Sequence, residues 1–226
     1  MKLLLLGAGK TGSLVAEVAR ERGHIVETLR AIDNPNASAL TGTTLSPFDV
    51  VIDFTIPLCV VDNIRACVAA GKNMLVGTSG WYSDLDRVRK LVEQHGTGFL
   101  YGSNFSIGVN LFFDVVRQAA PAVQREYYPH IYERHHAQKK DAPSGTAATM
   151  QSILQESSTI EIEITSFREG EVVGMHELVL DSPNDTIYLC HDAKSRRGFA
   201  EGAVRGAEWL PTKKGFFDFR DVWREM

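Results

Sequence analysis

Lys2-Leu3-Leu4-Leu5-Leu6-Gly7-Ala8-Gly9-Lys10-Thr11-Gly12 follows Met1 and decides how the first half of the chain folds. Lys2–Leu6 reads as a short strand buried on both faces. Gly7, Gly9 and Gly12 then spell G-x-G-x-x-G between that strand and a helix read over Thr11–Arg22. In that helix Leu14, Val15, Val18 and Ala19 recur at helical spacing before Gly23 stops it. Each glycine has a physical task. Gly7 makes the tight turn, Gly9 lets a pyrophosphate approach the backbone, and Gly12 lets the helix pack closely on the strand. The helix N-terminus adds N–H groups and a partial positive charge. Gly7, Ala8, Gly9, Lys10, Thr11 and Gly12 are therefore candidate dinucleotide contacts, with a plain tight turn as the alternative. Lys10-Thr11 does not sit in the phosphate-loop spacing G-x-x-x-x-G-K-[ST], which removes a nucleotide triphosphate site of that kind.

Outward from this loop, strands and helices alternate. Strands are expected at Ile25–Leu29, Asp49–Thr55, Asn73–Val76 and Gly98–Tyr101, and helices at Leu58–Ala70 and Ser83–His95, with a loop at Asn34-Pro35-Asn36. Short apolar strands separated by such helices predict a parallel sheet covered on both faces. Ligands in such sheets sit outside the carboxyl ends of the strands, which adds Gly77-Thr78-Ser79-Gly80 and Asp53-Phe54-Thr55 to the same face. Glu27, Arg30 and Asp33 are the candidates for the adenosine ribose.

The pattern changes after about residue 105. Helices are read over Ile107–Ala120 and Ser144–Glu156, and a strand over Tyr127–Arg134. Thr159–Phe167, Glu171–Asp181 and Thr186–Ala193 read as three antiparallel meander strands, joined by turns at Arg168-Glu169-Gly170 and Ser182-Pro183-Asn184-Asp185. Gly198–Leu210 returns to helix. Ile160, Ile162, Ile164, Val172 and Val179 offer more apolar strand surface than the Ser144–Glu156 helix can cover, which predicts a symmetric oligomer, a tetramer or else a dimer.

The chain has 226 residues, is 44% hydrophobic and 23% charged, and carries a net charge of −4. That content builds a real core and argues against wholesale binding of nucleic acid or anionic membrane. No apolar run reaches the ~18 residues of a membrane helix, and the leading leucines are too short for a signal peptide. Cys59, Cys67 and Cys190 form neither a disulfide framework nor a zinc spacing, so a reducing, cytoplasmic setting is expected.

Glu133-Arg134-His135-His136-Ala137-Gln138-Lys139-Lys140-Asp141-Ala142-Pro143-Ser144-Gly145-Thr146-Ala147 is the segment richest in chemistry. Adjacent histidines in regular structure cannot both face one metal ion, and H-E-x-x-H is missing, so no metal site is expected. Histidine titrates near neutrality and lysine can donate a proton or hold a carboxylate. Ser144, Gly145 and Thr146 at a helix start form an anion cradle, against the plainer reading of Ser144 as an N-cap after a solvated charge run.

At these residues the chain resembles the dihydrodipicolinate reductase family of lysine and diaminopimelate synthesis. Glu133–Ala147 is similar to its signature E-x-H-H-x-x-K-x-D-A-P-S-G-T-A. Val51–Thr55, Gly77–Gly80, Asn104–Asn110, Arg168-Glu169-Gly170 with Gly174 and His176, and Ser195-Arg196 with Phe199–Ala203 resemble further family elements. The resemblance implies a Rossmann-like parallel-sheet domain for NADH or NADPH, residues 1–104 with 197–226. It also implies an inserted mixed or antiparallel α+β domain, residues 105–196, for substrate binding and for assembly into a homotetramer through its sheets. It implies His135 and Lys139 as proton donors to a cyclic dicarboxylate, His136 as a substrate contact, and Ser144, Gly145 and Thr146 as holders of a carboxylate. It implies Gly77, Thr78, Ser79, Gly102, Ser103, Asn104 and Phe105 as cofactor contacts beside the glycine loop. The loop is one residue shorter than the family's usual G-x-x-G-x-x-G, and Arg30–Ser46 is abbreviated. Both changes fall at the adenosine end. Two readings compete with this one. A different oxidoreductase on the same scaffold would have no use for the His135-to-Thr146 pattern, and an idle cofactor-sensing protein would bind without turnover.

Overall fold

A computed structural model describes residues 1–226. The chain divides into two compact units, residues 1–106 with 197–226, and residues 107–196. No helix is long and apolar enough to cross a membrane.

The first unit carries β1 (Lys2–Leu6), α1 (Lys10–Glu21), β2 (Ile25–Leu29), a short α2 (Gly42–Leu45), β3 (Val50–Asp53), α3 (Pro57–Ala69), β4 (Asn73–Val76), α4 (Leu85–His95) and β5 (Gly98–Tyr101). With β10 (Gly215–Asp218) from the end of the chain, its strands lie parallel in the order β10-β5-β4-β3-β1-β2. Side chains alternate between two helical layers, which is why the strands are apolar throughout. Leu4, Leu6, Val51, Met74, Val76 and Phe99 pack in one buried cluster with Val60, Ile64 and Val68 of α3 and Val88 and Val92 of α4. Leu75 and Leu100 face the other way, where a Cβ on Gly206 would lie 2.8 Å from Leu100 and 3.0 Å from Leu75. β1 and β3 are neighbours, and the chain winds outward from them in opposite directions. The crevice at such a switch point is where ligands settle in open α/β sheets.

The second unit follows with α5 (Ile107–Ala119), β6 (Tyr128–His135), α6 (Gly145–Gln155), β7 (Glu163–Arg168), β8 (Met175–Asp181) and β9 (Thr186–Asp192). Its sheet has the order β7-β6-β8-β9, and β6–β7 is parallel while the other pairs are antiparallel. The expected three-strand meander is therefore corrected. β7 and β8 do not pair but flank β6 on opposite sides. The cause is α6, because a helical crossover returns the chain parallel to the strand it left. The strand expected from Thr159 begins only at Glu163. Before it, Gln151 and Gln155 side-chain amides donate to the carbonyls of Ile162 (2.6 Å) and Ile160 (3.1 Å).

The apolar-face expectation also changes. Ile162 is buried and Ile164 packs beside it in a core with Phe112, Phe113 and Val116 of α5 and Met150, Ile153 and Leu154 of α6. Two helices, not one, cover that face. The opposite face is left open and carries Tyr128, Tyr132, Phe167, Val179 and Tyr188, of which Tyr128 and Tyr188 are 67% and 66% exposed.

The chain then returns to the first unit with α7 (Arg197–Trp209), β10 (Gly215–Asp218) and α8 (Phe219–Val222). β10, too short to be read from its sequence, pairs parallel with β5 and closes that edge of the sheet.

Candidate active site

In the first unit, residues following β1, β3 and β4 line one cavity: Gly9–Gly12, Phe54, Thr55, Pro57 and Gly77–Ser79. Gly7 has φ +96°, and a Cβ there would lie 2.4 Å from the Phe54 carbonyl oxygen. A Cβ on Gly12 would lie 2.5 Å from the Gly7 carbonyl oxygen, so both positions need glycine. Gly9 is different, since nothing lies within 4 Å of its Cβ position. Its backbone faces open space, as a loop built for close approach of a ligand requires. Gly9 is also the N-cap of α1, and no side chain caps that terminus. The first-turn N–H groups are left for an anion. These residues fit a dinucleotide pyrophosphate.

Ala8 is exposed beside this cavity, and Gly102–Phe105 follow β5 at the same end of the sheet. The Phe105 side chain is buried against Phe219 and Phe54, with ring centroids 4.7 and 6.2 Å apart, so only its backbone is placed to meet a ligand. Glu27 lies within β2 and pairs with Lys2 at 2.9 Å, which takes it away from the strand end. Arg30 and Asp33 follow the strand and pair with each other at 2.8 Å.

Beneath the cavity lies an acid that the sequence places at the ligand face of the sheet. Asp53, the last residue of β3, is fully buried. Its Oδ1 accepts from the Thr55 N–H (2.9 Å), the Thr55 hydroxyl (2.7 Å) and the Thr78 hydroxyl (2.7 Å), and its Oδ2 accepts from Asn63 Nδ2 (2.8 Å). Burial pushes the Asp53 carboxyl above its ordinary value, and those hydrogen bonds oppose the rise.

The second unit gathers the histidine segment. Glu133 and His135, two apart on β6, share its buried face. The His135 Nδ1–H donates to Glu133 Oε2, which fixes the tautomer. Glu133 Oε1 accepts from Arg168 Nη2 at 2.7 Å and from the Ser144 N–H at 3.3 Å. Arg168 Nη2 also reaches the Asp141 carbonyl at 2.6 Å. Lys139 Nζ sits 2.9 Å from both Asp141 carboxylate oxygens. A Cβ on Gly174 would lie 3.0 Å from His135 Nε2, so the bare backbone there makes room for the imidazole.

Burial pushes the Glu133 carboxyl up, but hydrogen bonds from Arg168, Ser166 and His135 outweigh it and hold the group below its ordinary value. Burial also pulls His135 down, against the pull of Glu133. His176 on β8 falls to about 3, chiefly by burial and then by the charge of His135. Its Nε2 lies 3.0 Å from the Ser144 hydroxyl.

Ser144 proves to be the N-cap of α6, accepting from the Ala147 N–H at 3.2 Å, and its hydroxyl is buried. The side chain and N–H of Ser144 are thus spent inside the protein. The open part of the cradle is the backbone at exposed Gly145 and half-buried Thr146. His136 is half-buried, with a buried Nδ1 that has no partner. Glu133, His135 and His176 bring three ligand-type atoms within 4.8 Å of one another. The Arg168 guanidinium on Glu133 opposes a dication there. The roles of Glu133 and Arg168 were missed in the sequence, although the two-residue spacing of Glu133 and His135 on a strand was a usable signal.

Residues 1–105 match the sequence model described as dihydrodipicolinate reductase, N-terminus, and residues 108–223 match the one described as its C-terminus. The chain is 36% identical over 240 residues to the 4-hydroxy-tetrahydrodipicolinate reductase of Christiangramia forsetii, covering 100% of this chain and 99% of that one. It is 35% identical over 248 residues to the protein of the same name from Natronomonas pharaonis, covering 98% and 100%. Among solved structures, a dipicolinate-bound dihydrodipicolinate reductase from Paenisporosarcina sp. TG-14 shares the fold, with a TM-score of 0.79 at 21% identity and coverage of 98% and 99%. An amine dehydrogenase from Mycobacterium smegmatis does so with a TM-score of 0.67 at 10% identity, covering 98% of this chain and 95% of that one. Motifs, fold and full-length sequence likeness agree, and the chain belongs to the dihydrodipicolinate reductase family.

Proposed function

We infer that this chain is an NAD(P)H-dependent oxidoreductase, a 4-hydroxy-tetrahydrodipicolinate reductase that forms tetrahydrodipicolinate in lysine and diaminopimelate synthesis. The observation that carries this reading is the cluster of Lys139, His135 and the α6 N-terminus around buried Glu133 and Arg168, in a full-length member of the family. When bound, the reduced nicotinamide supplies a hydride to the conjugated ring of the substrate. Gly7–Gly12, Gly77–Ser79 and the backbone of Gly102–Phe105 hold that cofactor. Arg30 and Asp33 give it an adenosine end that accepts either NADH or NADPH.

Hydride arrival leaves negative charge on the conjugated system. Lys139 Nζ stabilises that charge and returns a proton, a contribution typically about 10²–10⁴-fold in rate. Burial favours the neutral form of His135 in the free chain, against the pull of Glu133. The two carboxylates of the substrate favour its protonated form, so the second donor gains its proton as substrate binds. His136 and the N–H groups at Gly145 and Thr146 hold a substrate carboxylate, favoured there by the helix terminus. Ser144 builds this cradle as the cap of α6 rather than touching substrate.

Assembly follows from the open face of the second sheet. Tyr128, Tyr132, Phe167, Val179 and Tyr188 make it an apolar and aromatic surface of the kind that marks interfaces, and a homotetramer joined through these faces would cover it. A monomeric mass by light scattering at micromolar concentration would reject that assembly. Three cysteines without a disulfide fit a reducing cytoplasm. The activity is tested by following NADH or NADPH oxidation on addition of the product of dihydrodipicolinate synthase. Cofactor binding without oxidation would leave the idle-sensor reading standing and reject this one.

A further inference from the structure

A chain of side chains with only one possible direction runs under the cofactor cavity. The Ala39 N–H donates to Asn34 Oδ1 at 3.0 Å, which sets the Asn34 amide so that its Nδ2 is the donor. Asn34 Nδ2 donates to Asn63 Oδ1 at 3.0 Å, so Asn63 Nδ2 is left to donate to Asp53 Oδ2. At the far end the Thr55 N–H, which can only donate, points at Asp53 Oδ1. Two fixed backbone donors thus pin the amides of the relay, and the ionised Asp53 carboxylate can only accept. The hydroxyls of Thr55 and Thr78, both on Asp53 Oδ1, must spend their hydrogens on it.

The consequence for the cavity is chemical. The N–H groups of Phe54, Thr55 and Gly77 are turned inward, to Leu6, Asp53 Oδ1 and the Asp53 carbonyl. Thr55 and Thr78 line the cavity, and their hydroxyl oxygens, with hydrogens spent on the carboxylate behind them, keep only lone pairs to offer. The opposite wall, Gly9–Gly12, is a helix N-terminus rich in donors. One wall suits an anion and the other suits a hydrogen-bond donor.

We propose that Asp53 is a positioning residue that makes the Thr55–Thr78 wall an acceptor for the carboxamide N–H₂ of the nicotinamide, and so selects the amide over its acid. This rests on the cofactor reading above. The carboxamide is the donor group that distinguishes the nicotinamide end, and the acid analogue replaces it with a carboxylate that neither donates nor tolerates the Asp53 charge. Asp53→Asn puts an amide at the hub, so that an N–H₂ faces the hydroxyls or an oxygen is lost, and the threonines regain freedom to donate outward. Thr78→Val removes one acceptor while keeping the shape.

The test is calorimetric titration of the full chain with NAD⁺ and, separately, with nicotinic acid adenine dinucleotide. Wild type is expected to bind NAD⁺ at least about 30-fold more tightly, the worth of one or two hydrogen bonds to a charged or polarised group. Asp53→Asn should bring the ratio below about 5, and Thr78→Val below about 10. Thr78→Val keeps the test alive if Asp53→Asn does not fold, as judged by circular dichroism. Equal binding of the two dinucleotides by wild type overturns the inference, as does an unchanged ratio in the folded variants. Failure of wild type to bind either one instead overturns the cofactor reading itself.

Discussion

Two carboxylates, Asp53 in the first unit and Glu133 in the second, are both fully buried, and they are held in opposite ways. Every donor on Asp53 is neutral: two hydroxyls, one backbone N–H and one amide. Glu133 faces a guanidinium and an imidazole as well as a backbone N–H. Burial wins at Asp53 and its carboxyl is raised, whereas the partners win at Glu133 and its carboxyl is lowered. Neutral donors orient a charge without cancelling it, so Asp53 sets the polarity of a wall. The Arg168 guanidinium cancels the charge, so on the function proposed above Glu133 leaves the neighbouring Lys139 and the α6 terminus free to act on an anionic substrate.

The largest effect expected from this contrast is on turnover. Lys139→Ala should lower kcat by about 10²–10⁴-fold and leave the Kd for the reduced cofactor unchanged, because the glycine loop is untouched. Lys140→Ala, outside the ion pair with Asp141, should stay within a few-fold, and His135→Gln should fall between them. Steady-state kinetics with a cofactor titration on the three variants decides. A normal kcat for Lys139→Ala, or a crippled Lys140→Ala, breaks the assignment of charge chemistry to the second unit.

Next in size is stability. Glu133→Gln leaves the Arg168 guanidinium without its counter-charge in a mostly buried setting, a change that typically costs about 3 kcal/mol or more. Asp53→Asn strands no cation, because every donor on Asp53 is neutral, and about 1–2 kcal/mol is expected. Urea unfolding of both variants measures the difference. Equal losses would show that charged and neutral shells hold a buried carboxylate equally well here, and the contrast would fail.

Acid should act on the same cluster. His176 is held at about 3 in the folded protein, against an unfolded value near 6.5. Between those values the unfolded chain binds the extra proton, so stability rises with pH across that window. The contribution is complete above about pH 6.5 and is lost as the pH falls toward 3, to the extent of a few kcal/mol. Unfolding midpoints should therefore drop steeply between pH 6.5 and 4 in wild type and less steeply in His176→Asn. Parallel slopes would mean that another group carries the acid sensitivity.

The sequence carried the parallel sheet, because Leu3–Leu6, Val50–Asp53 and Asn73–Val76 are short apolar runs that only a doubly covered sheet can bury. It carried the glycine loop, because all three glycines stand in one segment directly after β1, although the contact that demands glycine at position 7 comes from Phe54, far along the chain. It did not carry the order of the second sheet. The alternation of Ile160, Ile162 and Ile164 marks faces but not neighbours, and α6 makes the pairing parallel through a connection that periodicity cannot see. Phe167, Tyr128 and Tyr188 form the open face only once that order is known. The candidate site was legible where one segment supplies it, as with His135, His136 and Lys139. It was hidden where distant residues meet, as when Arg168 closes on Glu133 and Asn34 and Asn63 reach Asp53.

The smallest effect lies at a third carboxylate, Asp33, which meets its cation in water. Arg30 and Asp33 follow β2, with side chains 66% and 47% exposed, so water screens their pair and it adds little stability. A pair this weak can open for a ligand. If the cofactor carries a 2′-phosphate, the guanidinium can leave Asp33 and bind it bidentately, and if it carries a free ribose, Asp33 can accept from the hydroxyls. Neither form should then be refused, and selectivity between NADPH and NADH should stay under about 100-fold, roughly 2.7 kcal/mol. Arg30→Ala should weaken NADPH by about 3- to 10-fold, the worth of an exposed ionic contact, and leave NADH within about two-fold. Asp33→Ala should do the reverse. KM values for both cofactors in the two variants and wild type are the measurement. Unchanged NADPH kinetics in Arg30→Ala, or a wild-type preference beyond about 100-fold, would show that cofactor choice is made elsewhere than at this exposed pair.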